Sequence, residues 1–344
     1  LHLLIELGRI LEEEEEFKRS EEVLEEAVGR ARAGAGLDAP LALALLWLAR
    51  TRSDIGKFQE AQDLAREALA ILERLGHRRG QFVARRVLGV AAWRLGRFRE
   101  AEGHQREELA LAETEAEGPE RGHALIDLAN TLVSQGPGRL EEALGLYETA
   151  ASLLSESRDD TARARVFMNL ALLHHSRGDR ERATACLDRA LAAAEASQSI
   201  IWIGYCRLNQ AQFLAEEGRG PPAREALIRA RARLDPIGDR FAQQQLTMID
   251  GMIREAESEP EAADAAYVEA DRLAGELHLE AEGAEAKFRR ARLALKRGDP
   301  ELARRSLRAA DSAGLGRLKS DLAPEIEKLR RELGTDPGTD PGRP

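Results

Sequence analysis

A short motif recurs along the chain at intervals of about forty residues, and this period constrains the fold more than any other feature. Its copies read GKFQEA (56–61), GRFREA (96–101), GRLEEA (138–143), GDRERA (178–183), GRGPPA (218–223), SEPEAA (258–263) and GDPELA (298–303), with EEFKRS (15–20) as a degenerate first copy. From residue 178 onward the spacing is forty residues without slippage. A fixed period is typical of repeat architectures, whereas a bundle of unrelated helices does not require one. The sequence therefore predicts a solenoid of eight units.

Small residues occupy three columns of this repeat. The last residue of the motif is small in every copy: Ser20, Ala61, Ala101, Ala143, Ala183, Ala223, Ala263 and Ala303. Seven residues later the column reads Ala27, Ala68, Glu108, Ala150, Ala190, Ala230, Ala270 and Ala310. Upstream of the turn a third column reads Gly8, Ala49, Gly89, Ala129, Ala171, Ala211, Gly251 and Ala291. Because seven residues are two helical turns, the first two columns lie on one stripe of a helix, where small side chains let another helix approach closely.

Each unit is predicted to be a helix, a tight turn at glycine and a second helix. The chain is 43% hydrophobic, 33% charged and only 4% aromatic, and this composition favours helices because good strand formers are scarce. Pro221, Pro260 and Pro300 stand where second helices would begin. The predicted fold class is all-α. It comprises eight helix–turn–helix repeats over residues 1–320, a capping helix over 321–333 and a disordered Pro/Gly tail over 334–344.

These columns resemble those of the tetratricopeptide repeat family. The similarity rests on Leu7 and Gly8, Leu88 and Gly89, the turn residues Phe58 and Phe98, and the two alanine columns. It extends to about residue 318, although the usual unit has about 34 residues. The resemblance implies a right-handed superhelix whose first helices line a concave groove that binds peptides or partner helices. Longer units look like the solenoids of bacterial signalling proteins, including ATPase-based regulators, serine/threonine kinases and kinesin-light-chain-like repeats.

No motif in the sequence points to catalysis, a cofactor or a metal. There is no phosphate-binding loop, zinc-protease motif, nucleophile elbow or kinase signature. His174 and His175 are adjacent, whereas histidines that share a metal on a helix prefer a spacing of three or four residues. Cys186 and Cys206 alone form neither a disulfide framework nor a metal cage. The chain is therefore predicted not to be an enzyme and to need no cofactor.

Charge and hydropathy limit the possible partners. The formal net charge is −10, which argues against a nucleic-acid binder because such proteins carry a basic surface. The longest apolar run, Leu41 to Ala49, is nine residues, and a membrane span needs about 20. We therefore expect a cytoplasmic protein that binds neither nucleic acid nor membrane. Because Leu1 opens directly inside an amphipathic pattern, we also expect the chain to be a piece of a longer or processed polypeptide.

Candidate ligand-binding residues follow from counting back from each turn along the first helices. The residues expected near the concave wall are Arg9, Arg50, Arg86, Asn130, Arg165, Met168, Asn169, Leu172, Tyr205, Leu208, Asn209, Gln212, Gln245, Met248, Met252, Phe288 and Arg292. Arginines of the first three units could bind carboxylates bidentately, and the three asparagines could bond a ligand backbone. Met248, Met252 and Phe288 would offer an adaptable apolar surface. The alternative is that the arginines pair with neighbouring glutamates and the methionines belong to the core.

The predicted function is non-enzymatic recognition of a protein or peptide in the concave groove. Such a module would act as the sensor or scaffold of a larger cytoplasmic bacterial signalling protein. One alternative is the regulatory region of a serine/threonine kinase or nucleotide-binding ATPase whose catalytic domain lies outside this chain. Another is self-association through an edge of the solenoid, and the sequence leaves the oligomeric state open.

Overall fold

The computed structural model describes residues 1–14, 16–34, 36–115, 118–277, 279–313 and 322–334. Within these ranges the regular structure is helical, without a β-strand. The chain divides into two compact units, Leu1–Asp159 and Asp160–Pro344, and each is a series of packed helix pairs. Apart from Gly334, the tail predicted over 334–344 lies outside the described residues.

The first unit contains four helix pairs in its described part. They are α1 (His2–Glu13) with α2 (Phe17–Ala33), α3 (Asp38–Asp54) with α4 (Phe58–Arg74), α5 (Arg78–Arg94) with α6 (Phe98–Glu115), and α7 (Gly118–Gln135) with α8 (Leu140–Leu154). A short 3₁₀ helix, Pro137–Arg139, precedes α8. Successive first helices also contact each other, α1 with α3, α3 with α5, and α5 with α7.

The second unit repeats this arrangement and adds a terminal helix. Its pairs are α9 (Asp160–Ser176) with α10 (Arg180–Ala196), α11 (Ile200–Glu216) with α12 (Gly220–Leu234), α13 (Arg240–Ala256) with α14 (Pro260–Glu276), and α15 (Glu280–Lys296) with α16 (Pro300–Ser312). A 3₁₀ helix, Asp235–Ile237, follows α12. The terminal helix α17 (Ala323–Leu333) packs Ile326, Leu329 and Leu333 into one apolar cluster with residues of α16.

The turn inside the helix pairs explains the recurring glycine in most copies of the motif; in the fourth copy Gly136, and not Gly138 of the motif, has the positive φ. Gly56, Gly178 and Gly218 have φ values of 83°, 79° and 73°, in the left-handed region that glycine enters at little cost. The backbone N–H of the residue after the glycine then caps the C-terminal end of the first helix. In the second copy of the repeat, the N–H of Lys57 donates to the carbonyl oxygen of Arg52 at 2.8 Å. Ser258 adopts φ 63° in the one later copy that lacks the glycine. The same turn therefore forms there with a residue that enters this region less readily.

The small-residue columns lie where helices meet. Ala61 and Ala68 of α4 and Ala183 and Ala190 of α10 are fully buried. In the third column, a β-carbon placed on Gly251 of α13 would stand only 2.7 Å from Cε1 of Tyr267 in α14. The column is small because the second helix of the pair occupies the space that a side chain would need.

Replacing Gly251 by alanine is expected to lower the free energy of unfolding of the second unit by about 1–3 kcal/mol. The added methyl would meet the ring of Tyr267, which is itself fully buried. Gly275 in α14 is the matched control, because a β-carbon there meets no atom within 4 Å; Gly275→Ala should be neutral or stabilising by up to about 1 kcal/mol. Urea denaturation followed by circular dichroism measures both, and equal effects would contradict the close approach.

Candidate functional site

A groove in the second unit is lined by its four first helices and by the terminal helix. Its volume is about 960 Å³, and α9, α11, α13, α15 and α17 contribute to its walls. The four first helices contribute one residue each from the same repeat position: Leu172, Gln212, Met252 and Arg292. One helical turn later they contribute His175, Glu216, Glu255 and Lys296. The repeat thus turns one helix position into a continuous row of side chains.

A network of hydrogen bonds and ion pairs crosses the groove from α9 to α15. His175 lies 2.5 Å from Glu216 through its Nε2 and stacks on the ring of Phe213 at 3.8 Å. Arg289 is 6% exposed and connects Glu216, at 3.6 Å, with Glu285, at 2.8 Å. Burial works against ionisation of Glu216, yet the hydrogen bond with His175 and the charge of Arg289 hold its pKa below the ordinary value.

A second network ties α13, α15 and α17 together. Glu255 accepts hydrogen bonds from Lys296 at 2.6 Å and from the hydroxyl of Tyr267 at 2.9 Å. Arg292 reaches Glu255 at 3.6 Å and Glu325 of α17 at 2.8 Å. Despite the opposing effect of burial, these cations hold the pKa of Glu255 below its ordinary value. The wall formed by α17 is therefore held in place partly by charge.

Two cations in the groove remain available to a ligand. The side chains of Arg180 and Lys328 line it and form no ion pair within the described part of the chain. Leu172 adds an apolar surface that is 37% exposed, and the amide of Gln212 donates to Glu216 at 3.1 Å. The groove can therefore offer charge, an amide and apolar contact to an elongated ligand.

The structure places the predicted residues of the first unit in local pairs. Arg9 bonds Glu6 at 3.0 Å, Arg50 bonds the buried Glu12 at 2.7 Å, and Arg86 lies 3.9 Å from Asp127. Asn130 accepts a hydrogen bond from the hydroxyl of Tyr147 at 2.5 Å. Arg50 also stacks over Trp47 at 5.2 Å and remains 52% exposed.

The cluster around Arg50 includes a carboxyl pair. Burial raises the pKa of Asp54 above its ordinary value, while a hydrogen bond with Glu12 and the charges of Arg50 and Arg94 oppose this shift. These side chains come from α1, α3 and α5. The three predicted arginines of this unit thus stand beside acidic partners of the chain itself.

The predicted residues of the second unit fall into two sets. Leu172, Gln212, Met252 and Arg292 line the groove. Arg165, Asn169 and Asn209 are half-buried, and the half-buried Tyr205 donates its hydroxyl to Asp239 at 2.9 Å.

The expected apolar surface is largely part of the core. Met248 and Met252 are each 5% exposed and Phe288 is 1% exposed. The two methionines belong to a cluster with Tyr267, and Phe288 packs with Leu307. The repeat position that Met248 and Phe288 share faces the core, so packing accounts for both. Met252 stands one helical turn after Met248 and lines the groove.

Sequence reasoning missed His175, Glu216, Glu255, Arg289 and Lys296. Four of them stand three or four residues after the row that begins at Leu172, and residues with this spacing share a helix face. Extending the predicted column by one turn would have found those four. Nothing in the repeat pattern points to α17, because it lies after the last unit.

His174 and Cys206, two further side chains with reactive groups, are buried. His174 is 6% exposed, and burial raises the pKa of the Cys206 thiol to about 12, with Glu195 adding to and Arg207 opposing the shift. In the ranges that the structure describes, no three His, Cys, Asp or Glu side chains are grouped so that they could hold a metal ion. No described helix is long and apolar enough to cross a membrane.

Paired helices that repeat every forty residues and share a groove define the class of helical-repeat scaffold proteins. Family models of the tetratricopeptide repeat match residues 40–114, 166–200 and 284–309. These three segments are tetratricopeptide repeats, so the resemblance to that family and the predicted all-α solenoid fold class are confirmed. No curated protein sequence matches it.

Solved structures of the same fold include regulators. The chain is similar to the apo form of the quorum sensor NprR from B. thuringiensis, with 16% identity and a TM-score of 0.73 over 90% of this chain and 86% of that one. It is similar to a Rap protein complexed with competence and sporulation factor, with 16% identity and a TM-score of 0.60 over 79% of this chain and 73% of that one. It is also similar to aspartyl phosphate phosphatase F from Bacillus subtilis, with 14% identity and a TM-score of 0.58 over 75% of this chain and 63% of that one. At these identities the similarity shows the fold alone.

Proposed function

We propose that this chain is a non-enzymatic recognition module whose second unit binds a peptide segment in the groove between α9 and α17. The observation that carries this function is the convergence of four first helices and α17 on one groove of about 960 Å³. Its length along four repeats suits an elongated ligand, because each repeat adds one more row of side chains. The similarity in fold to a quorum sensor and to a factor-bound Rap protein supports this assignment.

The ligand chemistry follows from the groups that the chain leaves available. Arg180 and Lys328 offer positive charge for an acidic side chain or a terminal carboxylate. Gln212 offers an amide for a peptide backbone, and Leu172 offers apolar contact. The acidic residues of the groove are largely engaged by its own arginine and lysine side chains. A peptide with acidic residues beside an apolar one fits this surface.

The first unit supplies a second, separate set of candidate contacts. Arg9, Arg50 and Arg86 remain proposed ligand contacts, with Arg50 as the most exposed of the three. A ligand carboxylate would have to compete with Glu12 for Arg50, so binding there would exchange one ion pair for another. Asn130, Arg165, Asn169 and Asn209 are retained as proposed backbone contacts.

The biological role is that of a sensor or scaffold in cytoplasmic bacterial signalling. Binding of a peptide across several repeats would bias the curvature of the repeat array and thereby the position of any effector attached to it. The net charge of −10 supports a protein or peptide partner over nucleic acid.

The decisive experiment is a peptide-array selection against the whole chain, followed by calorimetry with the selected peptides. Reversing both free cations, Arg180→Glu with Lys328→Glu, is expected to weaken binding by about tenfold or more, because the ligand loses two attractive charges. The matched control is Arg182→Glu, whose side chain is 72% exposed on α10 outside the groove, and its affinity should equal that of the wild type. Peptides that bind the double variant as tightly as the wild type, or an array without a binder, would refute the assignment.

A further inference from the structure

A second cavity of the second unit is lined by residues of α10, α11, α12 and the turn between α11 and α12. Its volume is about 450 Å³, which is within the range of small-molecule sites. The buried side chains of Leu187, Phe213 and Ala226 make part of its surface apolar. The lining also includes the polar side chains of Thr184 and Glu217. Its described lining residues differ from those of the groove between α9 and α17.

The repeat shows what fills the corresponding place one copy later. Forty residues after Thr184 stands Arg224 of α12, and forty residues after Glu217 stands Glu257. The guanidinium group of Arg224 donates from Nε and Nη2 to Glu257, with Nε 2.9 Å from Oε2. It also lies 3.6 Å from Asp250 of α13. An arginine of the chain itself therefore connects this second helix with the first helix that follows.

The next copy of the repeat fills this place with the charges exchanged. Asp264 of α14, which again corresponds to Thr184, pairs at 2.7 Å with Arg290 of α15, which corresponds to Gln210. At the cavity both side chains bond within their own helices. The hydroxyl of Thr184 donates to a backbone carbonyl oxygen of α10 at 2.9 Å, and Gln210 accepts from Arg207 of α11 at 3.0 Å. The cavity therefore stands where the two later copies have an ion pair.

The carboxylate that would accept a guanidinium group at this place is present. The side chain of Glu217 is 24% exposed, and Arg219 contacts it through a single nitrogen at 3.4 Å. Arg219 itself is 59% exposed, so water weakens this pair. Asp188 also lines the cavity and forms no ion pair within the part of the chain that the structure describes. Two carboxylates are thus placed to attract a cation.

The other cations of the lining are engaged by acidic side chains. Arg207 pairs with Glu195 at 3.4 Å, and Arg229 pairs with Glu225 on its own helix. Each arginine of the lining therefore has its own glutamate, and the negative charge of Asp188 is in excess. This balance favours a cationic ligand over an anionic one.

We propose that this cavity binds a guanidinium group on an aliphatic stem, in the place that Arg224 fills one copy later. Glu217 accepts the hydrogen bonds of the guanidinium group, as Glu257 does for Arg224. Asp188 adds a second negative charge, and the apolar side chains of the cavity contact the stem. A planar guanidinium group matches a carboxylate through two parallel hydrogen bonds, which an ammonium group cannot do.

The test titrates the whole chain with propylguanidinium, which copies the arginine side chain, and follows binding by NMR. Because so small a ligand makes few contacts, we expect saturable binding with a Kd of about 1–10 mM. Propylurea has nearly the same shape without the charge and should bind about tenfold more weakly or less. Two further ligands distinguish the sources of the group. Tighter binding of free L-arginine identifies a small molecule, and tighter binding of N-acetyl-L-arginine amide identifies an arginine of a partner polypeptide.

Matched variants locate the contact. Thr184→Arg supplies the guanidinium group from the chain itself and should abolish binding, while circular dichroism verifies the fold. Glu217→Gln should weaken binding by about tenfold, because the acceptor loses its charge. The control is Glu301→Gln, which removes an 82% exposed carboxylate of α16 and should leave the Kd unchanged. No saturation up to about 100 mM propylguanidinium, equal affinity for propylurea, or binding that survives Thr184→Arg or Glu217→Gln unchanged would overturn the proposal.

Discussion

The free energy of unfolding of the first unit is expected to fall by about 4–5 kcal/mol as the pH rises from about 4.5 to about 8. One carboxyl group, Glu108 of α6, accounts for most of this fall. It stands in the column that holds alanine in the other seven units, and its side chain is 0% exposed. Neither carboxyl oxygen has a hydrogen-bond partner within the described ranges. Burial raises the pKa of Glu108 to about 8; Asp127 adds to the shift and Arg86 opposes it.

The direction of this pH dependence follows from whether the folded or the unfolded chain retains the proton of Glu108. Below pH 4.5 Glu108 is protonated in both the folded and the unfolded chain, so it has no net effect. Between about 4.5 and 8 the unfolded chain releases the proton while the folded chain retains it, and stability falls by about 1.4 kcal/mol per pH unit. Above pH 8 both states are ionised and the loss is constant. The charged groups that face Glu108 are Arg86 from α5 and Asp127 from α7.

Urea denaturation between pH 4.5 and 8.5, followed by the fluorescence of Trp47 and Trp93, measures this dependence. Glu108→Ala restores the small residue of the column and should remove most of the slope, so that the variant is more stable than the wild type at pH 8. Glu107→Gln is the control, because it removes a neighbouring carboxylate that is 56% exposed and should keep the slope. A Glu108→Ala variant with the pH dependence of the wild type would contradict the assignment.

The fold could be predicted because most units of the repeat have the same two requirements, a residue in the left-handed conformation at the turn and small side chains where the helices touch. Gly56 and Gly178 take the left-handed conformation that the motif implies, and alanines such as Ala61 lie where two helices touch. The sequence also shows that Glu108 departs from its column. It does not show whether a neighbour bonds the carboxyl group, because that depends on side chains from α5 and α7 that meet only in the folded unit.

The groove could be predicted in part. The repeat position of Gln212 and Arg292 does line it, since the turn fixes where each first helix ends. Met248 and Phe288, four residues earlier than Met252 and Arg292, face the core instead, because helix rotation within a unit is set by packing and not by the period. The contribution of Glu325 from α17 follows from a helix outside the repeat, for which the period gives no information.

Replacing Arg289 by methionine is expected to lower the free energy of unfolding of the second unit by about 3 kcal/mol. The guanidinium is 6% exposed and holds Glu285, whose side chain is 15% exposed, through contacts of 2.8 and 2.9 Å. Its removal takes a charge partner away from a carboxylate in a poorly solvated place, which costs more than the ion pair contributes. Glu216 is 28% exposed, so water compensates for much of its loss.

Urea denaturation followed by the fluorescence of Trp202 measures the change. The control is Arg297→Met, because Arg297 is 37% exposed and its partner Glu261 is 77% exposed; an exposed pair contributes about 0–1 kcal/mol. Adding Glu285→Leu to Arg289→Met should recover much of the loss, since the buried charge is then gone together with its partner. A loss no larger than that of Arg297→Met, or a double variant as unstable as the single one, would show that the network across the groove does not stabilise the unit.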